Sequence, residues 1–230
     1  MQTGQTSAVY FSLASRHFAW QSDGMDTQRA AENLQVIRTL MERTALYRRA
    51  LAPIMLSVGT IGTAAGVAGY LLNFANMRVF GFYWLGVAVA AVAVAFLLAR
   101  RQALKDREPF WSTPTRRVTQ ALLPALGSGL CLAIVLTFAA DEEMMLFFVL
   151  LCLFFYGCAV HAAGFFMPRG MKLFGWLYIA GAALLLVGLV ILKPDTTFRF
   201  GSVVMGSFFG VLQLAYGLYL RATEKPEPVA

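Results

Sequence analysis

The sequence predicts an all-α polytopic membrane protein: a six-transmembrane-helix bundle preceded by a cytoplasmic N-terminal amphipathic helix. Three observations carry this expectation. Six stretches, 51–73, 79–99, 118–140, 144–166, 173–192 and 200–220, contain no aspartate, glutamate, lysine or arginine. Each is about as long as the roughly 20 residues a helix needs to cross a bilayer. Hydrophobic residues make up 59% of the chain and charged residues 13%, against roughly 25% charged in a soluble domain. The remaining charges are distributed with one sign on alternate sides. Six unbroken apolar runs do not fit a soluble core, whose helices keep a polar face. Their lack of polar alternation also excludes a membrane β-barrel.

The N-terminal region, 1–50, holds six basic residues: Arg16, Arg29, Arg38, Arg43, Arg48 and Arg49. Its opening segment, 1–24, is aperiodic and lacks the basic n-region and apolar h-region of a secretory signal, so the first span is expected to direct insertion. A helix is expected to start near Asp26, whose carboxylate can cap the first turn. Leu34, Ile37 and Met41 then recur at three- and four-residue intervals with charges opposite, an amphipathic pattern. Such a helix can lie in the membrane interface, pair with a partner, or simply pack as an elbow under the bundle. Arg48 and Arg49 stand at the membrane edge, where long side chains snorkel.

The transmembrane domain is placed at 51–221. Its first span carries Gly59, Gly62, Gly66 and Gly69, spaced 3-4-3 and so on one helix face. Gly206 and Gly210 in the last span form a second GxxxG match. Small stripes of this kind let another backbone approach closely, and packing within the chain is the favoured reading over a second subunit. The second loop begins with Arg100 and Arg101 and ends with Arg116 and Arg117, with Trp111 between two prolines. Trp111 and the arginines on either side suit contact with lipid headgroups or a partner. The residues 222–230 read as a flexible cytoplasmic tail.

Charge counts give the orientation. The N-terminal region, second loop, fourth loop and tail hold 16 of the 19 basic residues, and the other three loops hold 3. The positive-inside rule therefore places both termini in the cytoplasm and the acidic third loop, Asp141 to Glu143, outside. This distribution explains the net charge of +7 without a nucleic-acid partner.

Chemistry inside the spans is sparse. His161 is the one histidine there, and a metal site needs at least two further ligands. Its expected role is a hydrogen bond to Tyr156, Gln213 or a backbone carbonyl. Together with Tyr156, Gln213 and Tyr216 it forms the candidate intramembrane polar site. Cys131, Cys152 and Cys158 have no paired spacing and read as free thiols. No nucleophile elbow, metalloprotease motif or P-loop is present, so the reading is non-enzymatic, without catalytic residues, metal or cofactor. The stretch from Met77 to Leu85 is faintly echoed from Met171 to Ile179. An inverted repeat would produce this, but two interfacial aromatic segments would as well, and the latter is favoured.

Three segments carry a family resemblance. They are Glu32-Asn33-Leu34-Gln35-Val36-Ile37-Arg38-Thr39-Leu40-Met41-Glu42-Arg43, the region from Phe155-Tyr156-Gly157 through Gly164, and Gly210-Val211-Leu212-Gln213-Leu214-Ala215-Tyr216-Gly217. In this order they resemble an uncharacterised family of bacterial six-span inner-membrane proteins with an N-terminal amphipathic helix. The resemblance runs from about position 30 to position 221. It implies a bacterial inner-membrane location and the span count, and supplies no catalytic residues. The leading functional expectation is a non-enzymatic assembly or regulatory membrane subunit acting through the cytoplasmic helix and basic loop. Its expected contacts are the lipid bilayer and a second copy or another membrane protein. The alternative is a facilitator or channel for a small neutral solute or lipid.

Overall fold

Hydrocarbon offers no water to an unpaired amide, so an apolar span must satisfy its own backbone, and a helix does this within one segment. The computed structural model describes residues 51–105, 111, 113–167, 170–192 and 197–223, and their regular structure is helical throughout. The spans are α1 (Leu51–Leu72), α2 (Met77–Lys105), α3 (Thr113–Ala139), α4 (Met145–Ala163), α5 (Gly170–Leu192) and α6 (Phe198–Thr223). All six are long and apolar enough to cross a membrane. The protein is thus a multi-pass, all-helical membrane protein. The amphipathic helix expected at 26–43, the basic residues ahead of the first span and the tail beyond 223 lie outside the described residues.

Local chemistry sets the helix ends. Asn73 terminates α1 with φ of 46°, the left-handed conformation that asparagine tolerates better than most residues. Asn76 then caps α2, its Oδ1 accepting from the Val79 amide at 3.0 Å. Thr197 does the same for α6, its side chain accepting from Phe200 N at 3.3 Å. Pro124 is tolerated within α3, as membrane helices allow. The second span extends to Lys105, beyond the charge-free stretch. Its arginines continue the same helix into the interface, because charge at a helix end is tolerated where it reaches headgroups.

Packing divides the helices into an inner and an outer group. Half of the most apolar window of α4 is buried inside the protein, against 6% of that of α2. The fourth helix packs against α3, α5 and α6. The first helix lies along α6, and Tyr83 of α2 donates to the Ala65 carbonyl of α1 at 2.6 Å. By contrast α2, α3 and α5 present Val89, Val92, Leu130, Leu184 and Ile191 outward. In a bilayer that outward face is wetted by acyl chains, so it carries no hydrophobic penalty. Replacing Tyr83 with Phe removes one bond across the α1–α2 contact. The expected loss is about 1 kcal/mol, read from reversible unfolding in mixed detergent micelles.

An aromatic cluster closes one end of the bundle. Phe80 is fully buried there, with its ring 5.7 Å from Phe74, 5.8 Å from Phe148 and 5.5 Å from Phe198. These rings come from the α1–α2 turn, α2, α4 and the start of α6.

The glycine seam joins the first and last helices. A Cβ on Gly59 would lie 2.6 Å from the Leu214 amide nitrogen, and one on Gly66 would lie 2.5 Å from the Gly206 Cα. A Cβ on Gly62 would overlap the Phe209 carbonyl, and one on Gly69 would meet Ser202 Oγ at 2.8 Å. Ascending residues of α1 therefore meet descending residues of α6, so the two helices run antiparallel with their backbones in contact. The two GxxxG stretches lie against each other: Gly210 abuts Thr63, and Gly206 abuts Gly66.

The seam also accounts for an irregularity in α6. At one end Leu56 of α1 faces Gly217 of α6, and at the other Gly69 faces Ser202. Between these contacts the α6 side contains more residues than the α1 side. At 1.5 Å per residue a regular α6 would overrun α1 by about 3 Å. Between Ser207 and Leu212 the helix opens into a π-helical segment. Its wider turns put more residues into the same length, which lets both rows of close contacts stay in register.

Candidate intramembrane polar site

Of the four candidate residues, Gln213 and Tyr156 meet as hydrogen-bond partners. Gln213 follows directly on the π segment, 1% exposed, and its Nε2 donates to the Tyr156 hydroxyl at 2.8 Å. Tyr156 reaches across from α4, which runs parallel to α6. Beside them stands Tyr178 of α5, fully buried, whose hydroxyl donates at 2.6 Å to the Phe208 carbonyl within the π segment. Its ring is 4.8 Å from that of Tyr156 and 5.6 Å from that of Phe209. A π segment breaks the regular i to i−4 ladder, and Tyr178 supplies a hydroxyl where that ladder changes. The three polar residues lie about 10 to 15 Å from the C-terminal ends of α4 and α6 and the N-terminal end of α5, counting roughly 1.5 Å per residue, and so well inside the apolar spans.

The side chain of Gln213 is not fully used. Its Oε1 is buried and has no hydrogen-bond partner in the structure. The described bond of the Tyr156 hydroxyl is the one it accepts from Gln213, so its own proton remains to be donated. A buried amide oxygen left unpaired costs about 1 to 3 kcal/mol, a penalty that a purely packed interior avoids. Among the described residues two other buried polar atoms share this state, Ser202 Oγ and Trp84 Nε1, but neither has a polar side chain bonded beside it.

His161 and Tyr216 belong elsewhere. The half-buried His161 places Nδ1 3.3 Å from the Lys172 carbonyl, a long bond, with its ring against Phe165 and Trp176 at 5.5 Å each. Of the partners expected for it, the backbone carbonyl is the one observed. Gly175 makes this possible: a Cβ there would lie 2.5 Å from the His161 amide nitrogen, so only glycine lets α5 sit against the α4 backbone. Tyr216 stacks on Phe174 at 4.5 Å. Replacing His161 with Phe keeps the ring contacts and loses one long bond. The thermal midpoint of the reconstituted protein is expected to move by the equivalent of less than about 1 kcal/mol.

Most remaining hydroxyls bond backward along their own helices. Thr60, Thr63, Thr119, Ser128 and Thr137 each donate to the carbonyl four residues earlier, a local pairing common for such residues in membrane helices. Among the described residues no three histidine, cysteine or acidic side chains converge as a metal site would require. The three cysteines are free, with Cys131 exposed on α3. Of the basic residues expected to touch headgroups or a partner, Arg100, Arg101, Arg116 and Arg117 are exposed at the facing ends of α2 and α3, with Trp111 exposed between them. Arg38, Arg43, Arg48 and Arg49 lie outside the described residues.

The echo between the second and fifth spans has a structural counterpart. Met77, Phe80, Gly81 and Trp84 are the buried residues of α2; their counterparts Met171, Phe174, Gly175 and Tyr178 are buried in α5. The two segments begin at opposite ends of the bundle, since three antiparallel steps separate them. Gly81 abuts Thr137 of α3 whereas Gly175 abuts His161 of α4, so the neighbours differ.

Sequence reasoning does not single out Tyr178. Its one signal is the echo, which aligns it with Trp84, a second bulky polar-tipped side chain placed three residues beyond a buried glycine. No protein-family model, no curated protein and no solved structure matches the chain.

Proposed function

We propose that this is a non-enzymatic, multi-pass protein of a bacterial inner membrane, with both termini cytoplasmic, serving as an assembly or regulatory subunit. The observation that carries this reading is the seam between α1 and α6. Backbone meets backbone along the glycines of α1, and Thr60 and Thr63 beside it are bonded within their own helix. A bundle whose first and last helices are closed on each other this tightly suits a rigid platform. Contact with the cell then falls to the charged segments that the spans exclude. Arg100, Arg101, Arg116 and Arg117 are exposed at one end of the platform, suited to anionic headgroups or an acidic partner surface.

The test is co-purification from the native membrane, comparing the full chain with a variant lacking residues 26–43. A partner or defined homo-oligomer is expected with the full chain and is lost with the deletion. A monomer indifferent to the deletion sinks the reading.

A second reading, a facilitator for a small neutral solute or lipid, is favoured by the Gln213 and Tyr156 pair and its unused acceptor. Buried neutral hydrogen-bonding groups without a carboxylate are what an uncoupled pathway would use. Swelling of proteoliposomes in gradients of small polyols checks it. Rates equal to those of protein-free vesicles remove it.

A further inference from the structure

Gln213 and Tyr156 together present an incomplete hydrogen-bonding pair in the membrane interior. The buried amide oxygen of Gln213 has no partner, and the Tyr156 hydroxyl, which accepts from the same amide, still has a proton to give. Turning the amide over changes the roles without removing the deficit. Tyr156 would then donate to the oxygen, and the amide hydrogens would be the unused groups. The first arrangement calls for a donor to Gln213 and an acceptor for Tyr156, the second for an acceptor for the amide hydrogens, so a group that completes whichever is present must be able both to donate and to accept. Charge is excluded on cost: the stretches that carry this pair, 144–166 and 200–220, contain no aspartate, glutamate, lysine or arginine. An unpaired ion in hydrocarbon is far less stable than an unpaired amide.

We infer that Gln213 and Tyr156, at the π segment of α6, form a binding site for an uncharged hydroxyl group, which donates to Gln213 and accepts from Tyr156. A hydroxyl has one donor and two acceptor positions, which matches both forms of the pair. The chemistry has two sources, a water molecule and the hydroxyl of a lipid headgroup. The π segment contributes by geometry. Its extra residues keep the α1 seam in register while Gln213, the first residue after it, turns to α4. Tyr178 holds the segment open through the Phe208 carbonyl. The site stands whether or not a solute crosses the membrane.

The test uses the full chain, labelled with 13C-glutamine and 13C-leucine, in bilayers of phosphatidylcholine and, separately, of phosphatidylglycerol, whose headgroup carries hydroxyls. Magnetisation transfer is followed by solid-state NMR from water and from the headgroup to the Gln213 side-chain carbonyl. The fully buried Leu153 serves as the internal reference. The resonance is assigned by its loss in Gln213→Leu, or by its contact with the Tyr156 ring should that variant not fold. Transfer from water several-fold faster than to Leu153 in both lipids supports the site with water as occupant. Fast transfer from the headgroup confined to phosphatidylglycerol supports it with a lipid hydroxyl. Tyr156→Phe, which removes one of the two partners, is expected to slow the transfer several-fold. Transfer to Gln213 no faster than to Leu153 in both lipids overturns the proposal. Proteoliposome flux is a separate readout, so loss of the facilitator reading and loss of this site are distinguishable.

Discussion

Gly62→Ala is expected to destabilise the protein by on the order of 3 kcal/mol, the upper part of the range for overpacked interiors. The added methyl would overlap the Phe209 carbonyl of α6, and backbone cannot swing aside as a flexible side chain can. Relief requires α1 and α6 to separate along the seam, which loosens the contacts at Gly59 and Gly66 as well. In a bilayer those contacts have no hydrophobic effect to replace them, because lipid chains are as apolar as the helices. Gly62→Leu extends the same clash and is expected to prevent accumulation of folded protein. The controls are Gly86→Ala and Gly188→Ala, where a Cβ meets nothing within 4 Å. There the change is expected to be neutral or stabilising by up to about 1 kcal/mol, since alanine is the better helix former. Reversible unfolding in mixed micelles, with folded yield from membranes alongside, separates the two classes. Equal effects at Gly62 and Gly86 would contradict the seam.

Tyr178→Ala is expected to cost roughly 4 kcal/mol, within the range for deleting a buried aromatic ring. The ring touches Tyr156, Phe174, Phe208 and Phe209, so its removal opens a space between α4, α5 and α6. Tyr178→Phe isolates the hydroxyl. It leaves the packing in place and removes the bond to the Phe208 carbonyl, for an expected loss of about 1 kcal/mol. Isotope-edited infrared spectroscopy of a 13C-labelled Phe208 carbonyl gives a second measure. Its amide band is expected at higher frequency in Tyr178→Phe, because the carbonyl loses an acceptor interaction. An unshifted band would mean that Tyr178 does not hold the π segment.

The glycines of the first span illustrate how far sequence reading reaches. A 3-4-3 spacing places four small residues on one face whatever surrounds the helix, because the helical repeat is a local property. That this face meets α6, and meets Gly206 and Gly210 there, depends on contacts between opposite ends of the spanning domain. The polar residues divide the same way. Gln213 and His161 stand out in sequence because polar side chains are rare in hydrocarbon, yet the structure pairs Gln213 with Tyr156 and leaves His161 against α5. Tyr178 does not stand out, because a tyrosine in an aromatic-rich span resembles its neighbours. Its importance comes from the carbonyl opposite it.

Span number and helical character follow from composition alone, because a bilayer permits no other way to satisfy a long apolar backbone. The expected orientation follows from composition too, because the asymmetry of lysine and arginine is a property of the loops. Partner choice does not follow. Any apolar helix face is equally content with lipid, so which faces meet is decided by small differences in close packing between distant segments. The π segment is the clearest case. Nothing in Ser207 to Leu212 demands it locally, and it arises where a longer run of α6 must match a shorter run of α1. The unused oxygen of Gln213 is a consequence of the same fit, visible only once α4, α5 and α6 have closed around it.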